Sequence, residues 1–263
     1  MRRYLSLFWQ YFLQYAKVRL SYRGDFFLSV ATMVLATVFG LAVVFLIFGR
    51  TPRLAGWSFW EILFLYGFSL LPMALFNVLS INLYEFADVY IIQGKFDRVL
   101  VRPIHSLFQI LFEKLRLEAL GDLFLGFAVL AAAAARLQLR IDVLDVLLLA
   151  GAVLCGALLY TSIFISLCTV SFYMEDRVGV MPPVYNMLAF GRYPMDIYNG
   201  FIRVLLSWVI PFGFATFYPA AAFLKHDAYR IYAWLIPVVT VAFAWLALAL
   251  WNRGVRSYSS TGS

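Results

Sequence analysis

Long apolar runs divide this chain into segments of membrane-spanning length. Each is close to the roughly 20 residues that cross about 30 Å of hydrocarbon as an α-helix. Their apolar positions are continuous rather than alternating, which disfavours a β-barrel, and backbone groups in lipid must be hydrogen-bonded internally, so helices are expected. The pattern predicts an all-α integral membrane protein with six transmembrane helices, at about 26–48, 62–83, 107–135, 146–174, 178–192 and 231–251.

The apolar stretch between the fifth and sixth spans is interrupted by prolines and by a charge. Residues 194–225 contain Arg203 as well as Pro194, Pro211 and Pro219, and they lack an uninterrupted run of spanning length. We interpret the stretch as an extracellular re-entrant or interfacial hairpin before the last span. A seventh span is the alternative.

The first 25 residues are amphipathic at helical spacing. Phe8, Trp9 and Phe12 fall on one face, and polar and basic residues fall on the other. This pattern predicts an interfacial helix at 1–25, preceding a single transmembrane domain at 26–263. Polar and basic residues interrupt any signal-peptide core. A plain membrane anchor and a role in coupling to a partner are both open interpretations.

The composition is typical of a membrane protein, and the distribution of positive charge indicates which side of the membrane each loop faces. The chain is 64% hydrophobic and 13% charged, whereas a soluble domain carries about 25% charged residues. With the N-terminus in the cytoplasm, most of the 21 lysine and arginine residues fall on the inner side. We therefore expect a multi-pass protein of the cytoplasmic membrane with both termini inside. This distribution also explains the net charge of +7, which then gives no argument for nucleic acid.

A short charged segment separates the second and third spans. In residues 90–103, Gly94 can end a helix and Pro103 stops the one that follows. Charged and bulky residues alternate between them. A short helix with one apolar face could fit a groove on a partner, and an ordinary solvated inner loop is the alternative.

Acidic residues crowd the inner end of the third span. Lys114 and Glu118 are four residues apart and could pair, and Asp122 follows one turn later. Ionisable groups within a membrane usually face protein or water. Glu118 and Asp122 therefore either line the inner mouth of a path, or brace it, or lie in water below the bilayer.

No sequence motif indicates catalysis. The single Gly-Lys pair, at Gly94, has Val89 where a phosphate-binding loop needs glycine, and the two histidines stand far apart. We expect no enzyme activity and no metal site in this chain.

The segment between the second and third spans resembles part of a known transporter family. Gly94, Asp97, Leu100 and Pro103 match, position by position, a Gly-x-x-acidic-x-x-Leu-x-x-Pro pattern. Together with the order of spans over nearly the whole chain, it resembles the membrane subunit of type-2 ABC exporters. The run from Phe190 to Pro194 is similar to one bacterial subfamily associated with drug or antibiotic export.

The resemblance implies a mechanism in which this chain is a permease. It implies a separate cytosolic ABC ATPase in two copies, which binds ATP and magnesium, and a second permease subunit, identical or paralogous. Substrate would pass between the permeases, entering from membrane lipid. The outer gate would contain Pro194, Pro211 and Pro219. The ATPase-coupling residues would be Gly94, Lys95, Phe96, Asp97, Arg98, Val99, Leu100, Arg102 and Pro103.

Three other classes of protein compete with this interpretation. An ATP-independent secondary transporter predicts inverted repeats and polar groups at mid-membrane, and neither is evident. A membrane enzyme needs catalytic clusters that the sequence lacks. The sequence is also compatible with a non-transporting membrane assembly subunit, since one half of a heteromeric permease can be degenerate.

Overall fold

The computed structural model describes residues 2–174, 180–224 and 226–259, and within these residues the chain is helical without a β-strand. Short 3-10 and π-helical segments join or extend the α-helices. The α-helices are α1 Arg2–Ser21, α2 Arg23–Phe48, α3 Phe59–Ser80, α4 Phe96–Leu100, α5 Ser106–Phe112, α6 Leu120–Arg136, α7 Val143–Cys168, α8 Met181–Met187, α9 Gly200–Val204, α10 Phe212–Ala215, α11 Phe217–Leu224 and α12 His226–Ser257.

The all-helical prediction is confirmed for the described residues, and five helices are long and apolar enough to cross a membrane. They are Arg23–Phe48, Phe59–Ile92, Leu117–Arg136, Val143–Phe172 and Ala228–Ser257. The sixth span stays a prediction. Its described part is α8 followed by a 3-10 turn, Leu188–Arg192, and is shorter than the other five. Positions 178 and 179 of that span and position 225 of the predicted hairpin lie outside the described residues.

The span predicted at 107–135 is two helices in the structure. The chain leaves α5 after Phe112 and re-enters a helix at Leu117, because the charged residues between them cannot continue an apolar span. The turn is held by Asn82, whose side-chain amide donates to the carbonyl oxygens of Ile110 (2.8 Å) and Lys114 (3.1 Å). Carbonyl oxygens at the end of α5, which have no acceptor role within the helix, thereby accept hydrogen bonds from Asn82.

Helix α3 is the centre of the bundle and packs closely against α6 and α7. A β-carbon on Gly67 would lie 2.7 Å from the backbone nitrogen of Leu130 in α6, so the two helices touch at backbone distance. Gly156 of α7 makes a similar approach to the carbonyl oxygen of Ala215. Glycine allows such contacts between membrane helices.

Helix α1 leads almost directly into α2 and packs on α5. The rings of Tyr4 and Phe108 lie 4.9 Å apart, and those of Phe8 and Phe112 lie 5.0 Å apart. Trp9, predicted on the same face as Phe8, is exposed. The helix is therefore present, and its place in the membrane interface stays a prediction.

Candidate functional site

The charged segment after α3 begins with a backbone conformation that suits glycine. A π-helical segment, Ala87–Ile92, continues the span that begins with α3, and two residues after it comes Gly94, whose φ is +66°. The Gly94 N–H donates to the carbonyl of Ile91 (3.1 Å). A left-handed residue after the last turn ends a helix and redirects the chain, so Gly94 sets the direction of α4.

Helix α4 is anchored by Phe96, which is completely buried in an aromatic cluster. We call this cluster the aromatic seat. One ring directly precedes the π-helical segment, one lies in the 3-10 turn Thr169–Phe172 that follows α7, and two lie at the end of α12 or just beyond it. They are Phe86, Phe172, Trp251 and Tyr258, with centroids 6.0, 5.2, 6.2 and 4.9 Å from that of Phe96.

Asp97 lies beside the Tyr258 hydroxyl at the edge of this seat. Burial raises the pKa of Tyr258, and the negative charge of Asp97 raises it further. An ordinary tyrosine is already protonated at neutral pH, so the raised pKa reflects burial and the nearness of the carboxylate and does not change the charge of the hydroxyl. Sequence reasoning missed Tyr258, because nothing in the local pattern connects position 258 with position 97.

The far end of α4 is held by a buried glutamine. The side-chain amide of Gln109 donates to the carbonyls of Val99 (3.1 Å) and Ile104 (2.9 Å), and Val99 itself is buried. Both ends of α4 are thus fixed to the bundle. Pro103 is exposed in the turn that follows.

The outer surface of α4 combines apolar and basic side chains. Leu100 is 43% exposed and Val101 is 82% exposed. A small cavity of about 100 Å³ next to Val99 is lined by Lys95, Arg98, Arg102, Glu113 and Lys114, among others. The Glu113 carboxylate there accepts a 2.5 Å hydrogen bond from Tyr90. The tip of the segment therefore offers exposed hydrophobic groups within a positive surface.

Glu118 and Asp122 are both buried, so the interpretation that they lie in water is wrong. Glu118 is 2% exposed and Asp122 is 9% exposed. Lys114 pairs with Glu85 at 3.7 Å instead of with Glu118. Arg19 of α1 lies 3.1 Å from the Glu118 carboxylate. The two acidic residues thus face α1 and α2, and the structure does not bring them to α4.

A chain of polar contacts connects Asp122 with Arg192 through the apolar bundle. The Thr37 hydroxyl donates to Asp122 (2.8 Å), the Tyr66 hydroxyl donates to the Thr37 carbonyl (3.2 Å), and Arg192 donates to the Tyr66 oxygen (3.3 Å). Arg192 also lies over the Tyr66 ring, 5.4 Å from its centroid. This series of polar contacts was not predicted from the sequence. Single hydroxyl groups within apolar spans are only a weak indication of such contacts.

The stretch predicted as an outer hairpin contains two helical arms. The first arm is α9 with its π-helical extension Leu205–Val209, and the second comprises α10 and α11. The chain breaks between them at Pro211, whereas Pro194 precedes a 3-10 turn and Pro219 lies within α11. Residues of α10 and α11 are buried, which fits a hairpin inserted into the bundle. Its re-entry into a membrane stays a prediction.

One carboxylate ties this hairpin to the rest of the protein. Asp196 accepts hydrogen bonds from the Trp57 indole (3.1 Å) and the Tyr229 hydroxyl (2.6 Å), and Arg203 lies 3.8 Å from its other oxygen. It therefore joins the loop before α3, the first arm and the start of α12.

Nothing in the described residues suggests a metal centre. No group of three or more His, Cys, Asp or Glu side chains comes together there. The most distinctive feature is a short helix, α4, that is fixed to the bundle by Phe96 and Gln109 and has exposed residues at its far end.

Comparison with known proteins gives one match. A family model described as "ABC-2 family transporter protein" matches residues 32–262. Neither the curated proteins nor the solved structures gave a match.

Proposed function

The chain belongs to the ABC-2 transporter family as a membrane subunit, and from that premise we propose that it is the permease of an ATP-driven exporter in the bacterial cytoplasmic membrane. A second permease, identical or paralogous, would complete the substrate path. Two copies of a separate cytosolic ATPase would bind ATP and magnesium. The observation that carries the proposal is the construction of α4, which is fixed to the bundle and exposed at its tip.

The aromatic seat would transmit force from the ATPase to the membrane helices. Phe96 contacts rings from α12 and from the end of α7, so a push on Leu100 or Val101 would move those helices together. Close-packed interiors transmit displacement rather than absorbing it. ATP binding by the partner would then shift the balance between two permease conformations.

The exposed tip also indicates the chemistry of the partner surface. Leu100 and Val101 would enter an apolar cleft, and Lys95, Arg98 and Arg102 would face acidic residues at its rim. Such complementarity fixes the orientation of docking and speeds encounter. Helix α1 would add a second contact with the ATPase.

The second permease would contact the exposed apolar face of α2. This helix buries little of its surface within the chain, and Leu35, Phe39 and Leu46 are among its exposed residues. The hairpin at 194–225 would then form the outer gate. Its attachment through Asp196 supports that role, because a gate must be held in a defined closed position.

The test is purification of the tagged chain from its own membranes in mild detergent, followed by mass spectrometry. We expect a stoichiometric cytosolic ATPase that is lost in Leu100→Asp and Val101→Asp. Ile141→Asp is the matched control, because Ile141 is also exposed but lies between α6 and α7. An ATPase that remains bound to both α4 variants would refute docking through this tip.

The same preparation separates the competing functions. A chain that purifies without an ATPase would favour an ATP-independent transporter. An ATPase complex that gives no ATP-dependent transport in vesicles of the native lipids, although it hydrolyses ATP, would favour a non-transporting assembly subunit.

A further inference from the structure

A polar cavity of about 390 Å³ lies where the N-terminal helix meets the bundle. Its lining comes from four parts of the chain: Arg19 from α1, Ser29 from α2, Glu85 from the residues between α3 and the π-helical segment, and Arg116 and Glu118 from the turn before α6. Lys114 lines both this cavity and the small cavity beside α4, but no residue of α4 lines this one.

Glu118 brings a buried carboxylate with unused hydrogen-bonding capacity to this cavity. The residue is 2% exposed, and neither carboxylate oxygen has a hydrogen-bond partner in the described part of the chain. Arg19 is near, with its Nε 3.1 Å from Oε1, but that N–H donates to the Tyr15 hydroxyl (2.9 Å). A buried charge without hydrogen bonds is costly, so Glu118 favours a ligand that donates to it.

Arg116 brings an unpaired positive charge to the same cavity. Its guanidinium is half-buried and forms no ion pair with any residue that the structure describes. Glu85 and Lys114 also line the cavity, and their exposed charged groups lie 3.7 Å from each other. One cavity therefore holds a carboxylate that accepts no hydrogen bond, although Arg19 lies close to it, and an arginine without an ion-pair partner among the described residues.

We propose that this cavity binds the headgroup of a zwitterionic phospholipid that carries a primary ammonium group. The ammonium has three N–H donors and would satisfy Glu118, while the phosphate would accept from Arg116. A headgroup whose only charge is negative could offer Glu118 neutral hydroxyl donors, which bond a carboxylate less strongly than an ammonium does. A quaternary ammonium cannot donate a hydrogen bond.

The surroundings of the cavity favour a lipid over a soluble ligand. Ser29 lies directly after Phe27 and Leu28, which are 66% and 69% exposed. These side chains offer an apolar surface along which acyl chains could run. A lipid bound in this way would join α1 to the turn before α6, two elements that the Arg19–Glu118 pair already brings together. The inference does not depend on the proposed transport function.

Lipid retention by the full-length chain, with any subunits that co-purify, tests the proposal. The chain is exchanged into phosphatidylethanolamine, phosphatidylcholine or phosphatidylglycerol with identical acyl chains, and retained lipid is measured by native mass spectrometry. We expect phosphatidylethanolamine to be retained about tenfold better than either of the others, which corresponds to one charged hydrogen bond. Glu118→Gln and Arg116→Ala should each remove this preference. Asp25→Asn and Arg253→Ala, which change exposed charges, should keep it.

A cavity-filling variant protects the test against loss of folding. Ser29→Phe leaves every charge in place and blocks the cavity, so it should lose the preference while its thermal midpoint in phosphatidylcholine stays unchanged. Equal retention of the three lipids, stronger retention of phosphatidylglycerol, or a preference that survives Ser29→Phe would overturn the proposal. Soluble phosphoethanolamine that raises the thermal midpoint as much as the lipid does would overturn the assignment to a lipid.

Discussion

The ring of Phe96 packs edge-on against the ring of Tyr258, with centroids 4.9 Å apart and planes at 81°. The first residue of α4 is thus held by a residue just beyond the end of α12. Both rings also contact Phe172, at the end of the α7 span. The exposed tip of α4 is in this way connected to two membrane helices that are distant from it in sequence.

Tyr258→Ala should weaken coupling without removing the docking surface. Aromatic pairs contribute about 0.5–1.5 kcal/mol each beyond the area they bury, and this variant loses two ring contacts. We expect the ATPase to remain bound and ATP-driven transport to fall several-fold. Vesicle transport and co-purification of the ATPase would be measured on one preparation.

Tyr258→Phe is the control for that variant. It keeps both ring contacts and removes only the hydroxyl beside Asp97. Near-normal transport in Tyr258→Phe together with strong loss in Tyr258→Ala would assign the effect to packing. Equal transport in Tyr258→Ala and the wild type would contradict the role of the aromatic seat.

Gly94→Ala should destabilise the start of α4. Gly94 has φ of +66°, a conformation that costs a residue with a β-carbon about 1–2 kcal/mol. The thermal midpoint should fall, and docking of the ATPase should weaken. Gly151→Ala is the matched control, since Gly151 lies within α7, has no neighbour near its added β-carbon and should become slightly more stable. A Gly94→Ala protein as stable as the wild type would show that this turn relaxes without strain.

The local sequence predicts the helices but not which side of α4 faces the bundle. Gly94 and Pro103 stand out as boundaries because their backbone preferences are intrinsic. Phe96 and Leu100 are both apolar, yet the first is completely buried and the second is exposed. Their difference depends on rings at positions 172 and 258, which no local pattern connects with them.

The same limit explains the acidic residues before and within α6. The sequence identifies Glu118 and Asp122 as charges that would be costly within a membrane. It does not decide whether the two carboxylates lie in water or are buried in the protein. In the structure, Arg19 of α1 lies beside the buried Glu118, and Thr37 of α2 donates to the buried Asp122. Both helices are far from residues 118 and 122 in sequence. Pairing between single polar groups that are distant in sequence produces no periodic pattern, whereas membrane-spanning helices are recognisable from their apolar runs.

Thr37→Val should destabilise the bundle by leaving the buried Asp122 without its hydroxyl donor. Loss of a donor to a buried charged group costs about 1–3 kcal/mol, so we expect a clear fall in the thermal midpoint. Thr32→Val is the control, because Thr32 lies on the same helix, is exposed and donates only to the Leu28 carbonyl. Adding Asp122→Asn to Thr37→Val should recover part of the loss, since the partner left behind is then neutral. Equal thermal midpoints for the Thr37 and Thr32 variants would contradict this account.

Asp196→Asn should loosen the outer hairpin by weakening the acceptor shared by Trp57 and Tyr229. The Tyr229 hydroxyl lies 2.6 Å from the carboxylate, and a neutral amide accepts less strongly than a charged oxygen. We expect a lower thermal midpoint and faster proteolysis between residues 194 and 224. A double-mutant cycle with Tyr229→Phe isolates the contact, because residues that share a hydrogen bond show interaction energies of about 0.5–3 kcal/mol. If the two losses simply add, the Tyr229–Asp196 bond does not hold the hairpin. Non-additive losses together with faster proteolysis would mean that this carboxylate fixes the hairpin against α12.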